Sequence, residues 1–151
     1  MLKENTDDCL FYDLCELPSS MLNLDPDFYK NKPQEIIAIQ DKFFLHSSKF
    51  IFIIPEYNGS FPGILKLLID VLDPKLASHG KKAAITGIAT GRAGNLRGMD
   101  HLASVMQHMG VTVLPYMLPV SRVLDEFENE KLFKEGTQKA VNRQITEFLS
   151  F

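Results

Sequence analysis

The stretch KFIFIIPEYNGSFPGILKLLID, residues 49–70, determines the fold class. It begins with Lys49–Pro55, whose uninterrupted run FIFII predicts a β-strand buried on both faces, at the centre of a parallel sheet. A tight loop follows, and Pro62 suits the first turn of a helix that we expect to end at about Val71. A buried strand, a short loop and a helix form the repeating unit of an α/β fold.

The sequence on either side continues this alternation. The predicted elements are, in chain order, a strand at Cys9–Tyr12, a helix from Pro33 to about Ser47, a strand at Lys82–Ile88, a helix from about Asn95 to Met109 with Gly110 as its C-cap, a strand at Val111–Leu114, and a helix from about Thr137 to Leu149 that Thr137 or Gly136 would cap. Such alternation predicts a parallel sheet covered by helices on both faces. At 151 residues, the chain suits one domain, residues 1–151.

Composition and charge exclude several classes of function. Hydrophobic residues make up 45% and charged residues 23%, an ordinary balance for a soluble globular protein, and the net charge is −3. A weakly acidic chain has no general attraction for nucleic acid or anionic lipid, so we expect neither as a partner. The apolar runs are too short to span a membrane, and the N-terminal MLKENTDD has no signal-peptide core. These features predict a cytoplasmic protein.

The two cysteines agree with that location. Cys9 and Cys15 flank the short run CLFYDLC, and six residues of strand would separate their Cα atoms by about 20 Å. A disulfide requires roughly 4.4–6.8 Å. We therefore expect two reduced thiols, and no metal site, because no second pair of ligands lies nearby in the sequence.

Two loops carry the residues best suited to bind a ligand. In an open parallel sheet, ligands bind beyond the carboxyl ends of the strands, and the loops Pro55–Gly63 and Ala89–Arg97 leave two such ends. Asn58-Gly59 favours a turn with positive φ, which exposes backbone N–H donors beside the flat ring of Tyr57. These groups suit a planar heteroaromatic ligand edged with carbonyls and nitrogens. The alternative is that Asn-Gly only makes a tight connection.

The first loop belongs to a longer motif. PEYNGSFPGILKLLID resembles the pattern PEYNGS-x-PG-x-LKN-x-ID of the NADPH-dependent FMN reductase family, with Leu67 where that family usually has Asn. The matching residues are Pro55, Glu56, Tyr57, Asn58, Gly59, Ser60, Pro62, Gly63, Leu65, Lys66, Ile69 and Asp70. The resemblance implies that the first five of these, Pro55, Glu56, Tyr57, Asn58 and Gly59, line the isoalloxazine ring of FMN, mostly through main-chain groups.

The second loop fits the same family. GIATGRAGNLRGMDHLASVMQHMGVTVLP is similar to its small-residue loop GxxxGxxGG, followed by a helix with LR and then LGxxVLP, although Asn95 replaces the second glycine. The resemblance implies that the pyrimidine end of the flavin is bordered by Thr90, Gly91, Arg92 and Gly94. The alternatives are that the glycines only serve loop geometry, and that Arg92 and Arg97 lie on a solvated surface. Arg92 is the stronger candidate because it lies in the loop itself.

The resemblance also implies a fold. Family members are flavodoxin-like three-layer α/β/α sandwiches with a parallel sheet of strand order 2-1-3-4-5 and FMN at the junction of strands 1 and 3. They begin with a strand, a phosphate-binding loop of type GSxRxxSxN and a helix, a unit of about 30 residues that nothing here matches. MLKENTDD resembles the end of that helix. Either the natural protein starts upstream of Met1, or Cys9–Tyr12 pairs directly with Lys49–Pro55, or a second chain fills the position.

The implied activity is ping-pong transfer of hydride from NADPH through FMN to a small-molecule acceptor: a quinone, an azo compound, a metal oxyanion or free flavin. Such chemistry needs no catalytic acid–base residue, and the sequence offers none. His101 and His108 suit a solvated helix face better than a nucleotide or a partner. The family also implies a homodimer or homotetramer, in which we expect the helix Pro62–Val71 and the loop after Tyr57 to be shared between subunits. The rival hypothesis is a flavodoxin-like remnant that acts as a non-catalytic binding or assembly subunit.

Overall fold

The structure of the protein, a computed structural model, describes residues 8–22, 28, 30–129 and 131–151. Its strands are β1 (Lys49–Pro55), β2 (Lys82–Ile88), β3 (Thr112–Val113), β4 (Leu118–Val120), β5 (Phe127–Glu128) and β6 (Lys131–Leu132). Its α-helices are α1 (Gln34–Ile39), α2 (Gly63–Val71), α3 (Pro74–Ala77), α4 (Leu96–His108) and α5 (Glu135–Ser150). A π-helix, Gln40–Leu45, continues α1, and 3-10 turns form at Leu14–Glu16, Ser19–Leu22 and Val123–Asp125.

The main sheet is built around β2. β1 pairs with β2 in parallel along its whole length, from Lys49 opposite Lys82 to Pro55 opposite Ile88. On its other side, β2 pairs in parallel first with β3 and then with β4. The order is therefore β1-β2-β3/β4, which corresponds to the 3-4-5 part of the expected order. β5 and β6 form a separate antiparallel hairpin.

Helices cover both faces of this sheet. On one face, α2 and α4 pack against β1 and β2 through apolar side chains that include Leu65, Met99 and Leu102. On the other face, Phe148 of α5 packs against Ala84 of β2. The arrangement confirms the predicted three-layer α/β/α sandwich, and the carboxyl ends of β1 and β2 lie side by side at one edge.

The predicted central position of β1 is wrong. Among the described strands, β1 has a neighbour only on the β2 side, so it lies at the edge of the sheet. Ile54 is buried, but Ile53 on the opposite face keeps 61% of its surface exposed. An apolar run indicates that burial of the strand is favourable, but the actual burial depends on which strands and helices lie beside it.

The predicted strand at Cys9–Tyr12 is also wrong. Residues 8–13 have no regular secondary structure, and Asp13 instead accepts a hydrogen bond from the Cys15 N–H (2.9 Å) as it caps the turn Leu14–Glu16. The ring of Tyr12 stacks on Phe43, with 4.5 Å between ring centroids. A strand requires a neighbouring strand to accept its backbone groups. Direct pairing of Cys9–Tyr12 with β1 is therefore excluded as well, because β1 pairs only with β2 among the described strands.

Two further predictions need correction in the C-terminal half. The predicted strand Val111–Leu114 is shorter in the structure, where it is β3, because Pro115 interrupts the pairing. β4 was not predicted, because Pro119 makes Leu118–Val120 a poor strand by composition. The last helix begins at Glu135 with Lys134 as its N-cap, so neither Thr137 nor Gly136 caps it. Thr137 instead donates its hydroxyl to Glu126 (2.6 Å).

Candidate functional site

The chain reverses direction sharply after β1. Tyr57 and Ser60 exchange two backbone hydrogen bonds, Tyr57 N to Ser60 O (2.9 Å) and Ser60 N to Tyr57 O (3.0 Å). The two residues between them have positive φ, 51° at Asn58 and 77° at Gly59, as a type I′ turn requires. The turn is tied to β2 by the hydrogen bond from Glu56 N to Ile88 O (2.9 Å). The positive φ predicted from Asn-Gly is therefore confirmed.

This turn presents polar and flat surface at the carboxyl end of β1. The backbone N–H groups of Asn58 and Gly59 have no hydrogen-bond partner among the described residues. The side chain of Tyr57 is 62% exposed beside them. Two donors next to an aromatic face suit a planar ligand that carries hydrogen-bond acceptors on its edge.

The loop after β2 lies next to that turn and is held by the segment 120–123. Ala89 N donates to Val120 O (3.1 Å), Arg122 N donates to Gly91 O (2.9 Å), and the Ser121 hydroxyl donates to Arg92 O (2.6 Å). Thr90, Gly91 and Arg92 are exposed. The supporting segment was not predicted, since nothing in its composition marks residues that contact a loop about 30 positions earlier.

Gly94 differs from Thr90, Gly91 and Arg92 because it is buried. Its φ is 59°, and a Cβ placed there would lie 2.7 Å from Pro119 Cβ. Its carbonyl oxygen would lie 2.5 Å from a Cβ placed on Gly87. Close packing alone therefore accounts for glycine at position 94, which supports the loop-geometry alternative there. Gly91, in contrast, faces open space.

The first turns of α4 connect the two loops. The Asn95 amide donates through Nδ2 to Ile54 O (3.0 Å), and His101 Nδ1 lies 3.0 Å from the Ser60 hydroxyl. The guanidinium carbon of Arg97 lies 3.5 Å from where a Cβ on Gly59 would stand. The sequence favours a solvated face for His101 and leaves that alternative open for Arg97; both are exposed, but the structure places them against the turn. None of these contacts has a local sequence signature, because the partners lie about 40 positions apart.

The site offers binding groups rather than a reactive side chain. In the described part of the chain, no three His, Cys, Asp or Glu side chains are grouped to hold a metal ion. Among the described residues, the carboxylate with a lowered pKa is that of Glu126, which follows the segment 120–123 that supports the second loop. The hydrogen bond from Thr137, and then the nearby Lys134, favour its ionised form despite burial. The arrangement can bind and orient a flat polar molecule, and the chemistry would come from that molecule.

A separate groove of about 470 Å³ lies between α2 and α4, away from the two loops. Its floor is apolar, with Ile69, Val105 and Met109, and its rim carries the ion pair between Lys66 and Asp70 (2.6 Å). His108 reaches this groove rather than the turn. The groove borders α2, the helix that the resemblance implies is shared between subunits.

Comparison with known sequences agrees with the geometry. Residues 3–124 match the sequence model of the family described as NADPH-dependent FMN reductase. A protein of Pseudomonas aeruginosa named NAD(P)H-dependent FMN reductase is 40% identical over 100 residues, which cover 63% of this chain and 54% of that protein. A protein of Burkholderia sp. named 2-hydroxy-1,4-benzoquinone reductase is 27% identical over 107 residues, 69% of this chain and 56% of that protein. The chain spans about half the length of these curated relatives.

Comparison with solved structures confirms the flavodoxin-like fold. The structure of FerB, a flavoenzyme NAD(P)H:(acceptor) oxidoreductase from Paracoccus denitrificans, matches with a TM-score of 0.76 at 22% identity, over 99% of this chain and 84% of that one. None of the helices in the described residues combines the length and apolar character that a membrane crossing requires.

Proposed function

The chain belongs to the NADPH-dependent FMN reductase family, and on that premise we propose that it binds the isoalloxazine ring of FMN between its two loops and reduces a small-molecule acceptor with NAD(P)H. The observation that carries this proposal is the turn Tyr57–Ser60. Its positive φ values direct two N–H groups, which have no partner among the residues that the structure describes, to the surface where the carboxyl ends of β1 and β2 meet. Ligands of open parallel sheets bind at such a place.

The residues proposed to hold the ring divide into two groups. On the β1 side they are Pro55, Glu56, Tyr57, Asn58 and Gly59, and on the β2 side they are Thr90, Gly91, Arg92 and Gly94. The exposed backbone at Gly91, with open space in front of it, fits the approach of a flat ring. Gly94 contributes through the loop conformation that its φ of 59° permits, because its own surface is buried.

A bound flavin would supply the redox chemistry, taking hydride from NADPH and passing it to a quinone, an azo compound, a metal oxyanion or free flavin in a ping-pong sequence. The N–H groups of Asn58 and Gly59 would donate to acceptors on the ring edge and stabilise negative charge there. Arg92, exposed at the opposite loop, would add positive charge on the second side. No side chain of the site is proposed as a catalytic acid or base.

The assembly and location proposed are a cytoplasmic homodimer or homotetramer. The groove between α2 and α4 supports this proposal, since its apolar floor with a charged rim is typical of protein interfaces. The two cysteines, which are free thiols, agree with a reducing compartment.

The test is flavin binding followed by reduction. The purified protein is titrated with FMN, and flavin fluorescence and the visible flavin absorption are recorded; we expect a saturable complex. Anaerobic addition of NADPH should then bleach the absorption, and a quinone should restore it. Protein that neither carries nor takes up FMN would rule the proposal out for this chain.

A second candidate function follows from the edge position of β1. Its exposed Ile53 and its unpaired side, among the described strands, suit a flavodoxin-like subunit that binds or assembles with a partner without catalysis. The same titration separates the two candidates, because this one predicts that added FMN leaves the flavin fluorescence unquenched.

A further inference from the structure

Asn95 occupies a position where a glycine would meet no backbone penalty. It directly precedes α4, and its φ of 64° and ψ of 35° lie in the left-handed region. Non-glycine residues adopt that region at a cost. Asn95 nevertheless exposes 0% of its surface. Asparagine enters the left-handed region more readily than other non-glycine residues, so the burial of the side chain, rather than the backbone conformation, indicates a role for it.

That role is not to cap its own helix. Asn95 makes no side-chain cap hydrogen bond to α4, although asparagine at this position commonly does. Its amide nitrogen Nδ2 instead donates to Ile54 O at 3.0 Å, across 41 residues of sequence. Ile54 directly precedes the Pro55–Ser60 segment. The side chain thus ties the end of the glycine loop to the strand that carries the turn.

The amide oxygen of Asn95 is held by packing against α4. Asn95 Oδ1 is buried and has no hydrogen-bond partner among the described residues. It lies against Gly98, where a Cβ would overlap it and would also lie 2.8 Å from the carbonyl carbon of Ser60. An unsatisfied buried oxygen costs free energy. The contact is therefore held by the packing of α4 against the turn, not by stability gained at Oδ1.

We propose that Asn95 is a positioning residue that fixes the separation between the turn Tyr57–Ser60 and the loop Ala89–Gly94. Its amide acts as a spacer of set length, with one end on β1 and the other between α4 and the turn. The coupling of the two loops follows from the contacts alone. Its consequence for ligand binding rests on the proposed function, in which the flavin ring needs both loops at one spacing.

The test compares Asn95→Gly with Asn129→Gly. Both positions have positive φ, 64° and 48°, so glycine relieves the same kind of backbone strain at each. Asn129 is exposed in the β5–β6 hairpin and matches the change without touching the loops. Asn95→Asp is the second variant, because it keeps the shape but replaces the donor with an oxygen that faces Ile54 O.

Amide hydrogen exchange is the first readout and needs no ligand. We expect exchange of the two hydrogen-bonded turn amides, Tyr57 and Ser60, to be about tenfold faster in Asn95→Gly than in wild type, since one anchoring hydrogen bond of the turn's strand is lost, and unchanged in Asn129→Gly. Equal protection of the Tyr57 and Ser60 amides in wild type and Asn95→Gly would overturn the proposal. If Asn95→Asp does not fold, the Asn95→Gly variant still tests the proposal, because glycine adopts the left-handed conformation of position 95 without strain.

The FMN dissociation constant is the second readout. We expect it to rise about tenfold in Asn95→Gly and more in Asn95→Asp, with Asn129→Gly like wild type. A merely structural Asn95 would lower the thermal midpoint while leaving this constant unchanged, and that result would contradict the proposal. Wild type that binds no FMN would refute the proposed function, and the exchange comparison would still decide the role of Asn95.

Discussion

The turn Tyr57–Ser60 and the loop Ala89–Gly94 leave neighbouring strands of one sheet, and each needs glycine for a different reason. At Gly59 the requirement is conformational: φ is 77°, while an added Cβ would come no nearer than 3.5 Å to Arg97, an ordinary contact. At Gly94 the requirement is also space, because an added Cβ would lie 2.7 Å from Pro119 Cβ. The backbone shapes the turn, whereas packing against β4 shapes the loop.

This difference has a consequence for how the site is held. A turn set by its own backbone needs only a few external contacts, which α4 supplies through His101 and Arg97. A loop set by packing follows any movement of the strands and segments behind it. We therefore expect substitutions that fill space under the loop to cost more stability than substitutions that only strain the turn.

The largest effect is expected for Gly87→Ala, beneath the loop. The new Cβ would lie 2.5 Å from Gly94 O and 2.9 Å from Met99 Cγ, in the buried part of β2. We expect the free energy of unfolding, measured with denaturant, to fall by about 3 kcal/mol. The control is Gly63→Ala at the start of α2, where nothing lies within 4 Å, and it should change stability by less than about 0.5 kcal/mol. Equal changes in unfolding free energy for the two variants would show that the loop accommodates the added methyl group as readily as an exposed position does.

A smaller effect is expected for Gly94→Ala, within the loop. The substitution combines backbone strain at a φ of 59° with the clash against Pro119, and we expect a loss of about 2 kcal/mol in the free energy of unfolding. Gly80→Ala is the matched control, because Gly80 also has a positive φ, 75°, but faces open space. A loss at Gly80 as large as at Gly94 would mean that backbone strain, not packing, sets the cost of a side chain at position 94.

The same contrast explains what the sequence could predict. The bounds of β1 and β2 and the positive φ at Asn58-Gly59 follow from local composition and turn chemistry, and the structure confirms them. The position of the two loops after predicted strands, together with the family motif, was enough to single them out. These features depend on residues within a few positions of one another.

What the sequence could not predict depends on distant neighbours. The apolar run Cys9–Tyr12 is not a strand because no described strand pairs with it, and β1 lies at an edge for the same kind of reason. The contacts of Asn95 with Ile54 and of His101 with Ser60 join residues 41 positions apart, so no local sequence pattern predicts them. β4 was not predicted because Pro119 disfavours a strand by composition; in the structure β4 forms because β2 pairs with it.

A third substitution separates strain in the turn from its role in binding. Gly59 and Gly80 have almost the same φ, 77° and 75°, and alanine should cost about 1 kcal/mol of unfolding free energy at either. Only Gly59 lies in the turn, so we expect Gly59→Ala alone to weaken FMN binding, by about tenfold in a fluorescence titration. Equal affinities for the two variants would remove the turn from the proposed ring site.

The smallest effect concerns the segment that supports the loop. Glu126 lies just beyond Val123, whose N–H donates to Ala89 O (3.0 Å), and its carboxylate accepts the Thr137 hydroxyl (2.6 Å). That hydrogen bond, with Lys134, holds the pKa of Glu126 below its ordinary value. Because the folded pKa is the lower one, the stabilisation is complete above the unfolded pKa of about 4.3 and is lost as pH falls through the folded pKa.

Thr137→Val tests this link. We expect a loss of about 0.5 kcal/mol in unfolding free energy at about pH 7, which shrinks as the pH falls through the lowered folded pKa of Glu126, because the protonated carboxyl of the wild type no longer gains from the hydroxyl. Thr146→Val is the matched control, since Thr146 donates to Asn142 O (2.9 Å) within α5 and meets no carboxylate there. A difference between wild type and Thr137→Val that stays constant with pH, as it should for Thr146→Val, would mean that the ionised Glu126 does not anchor the segment behind the loop.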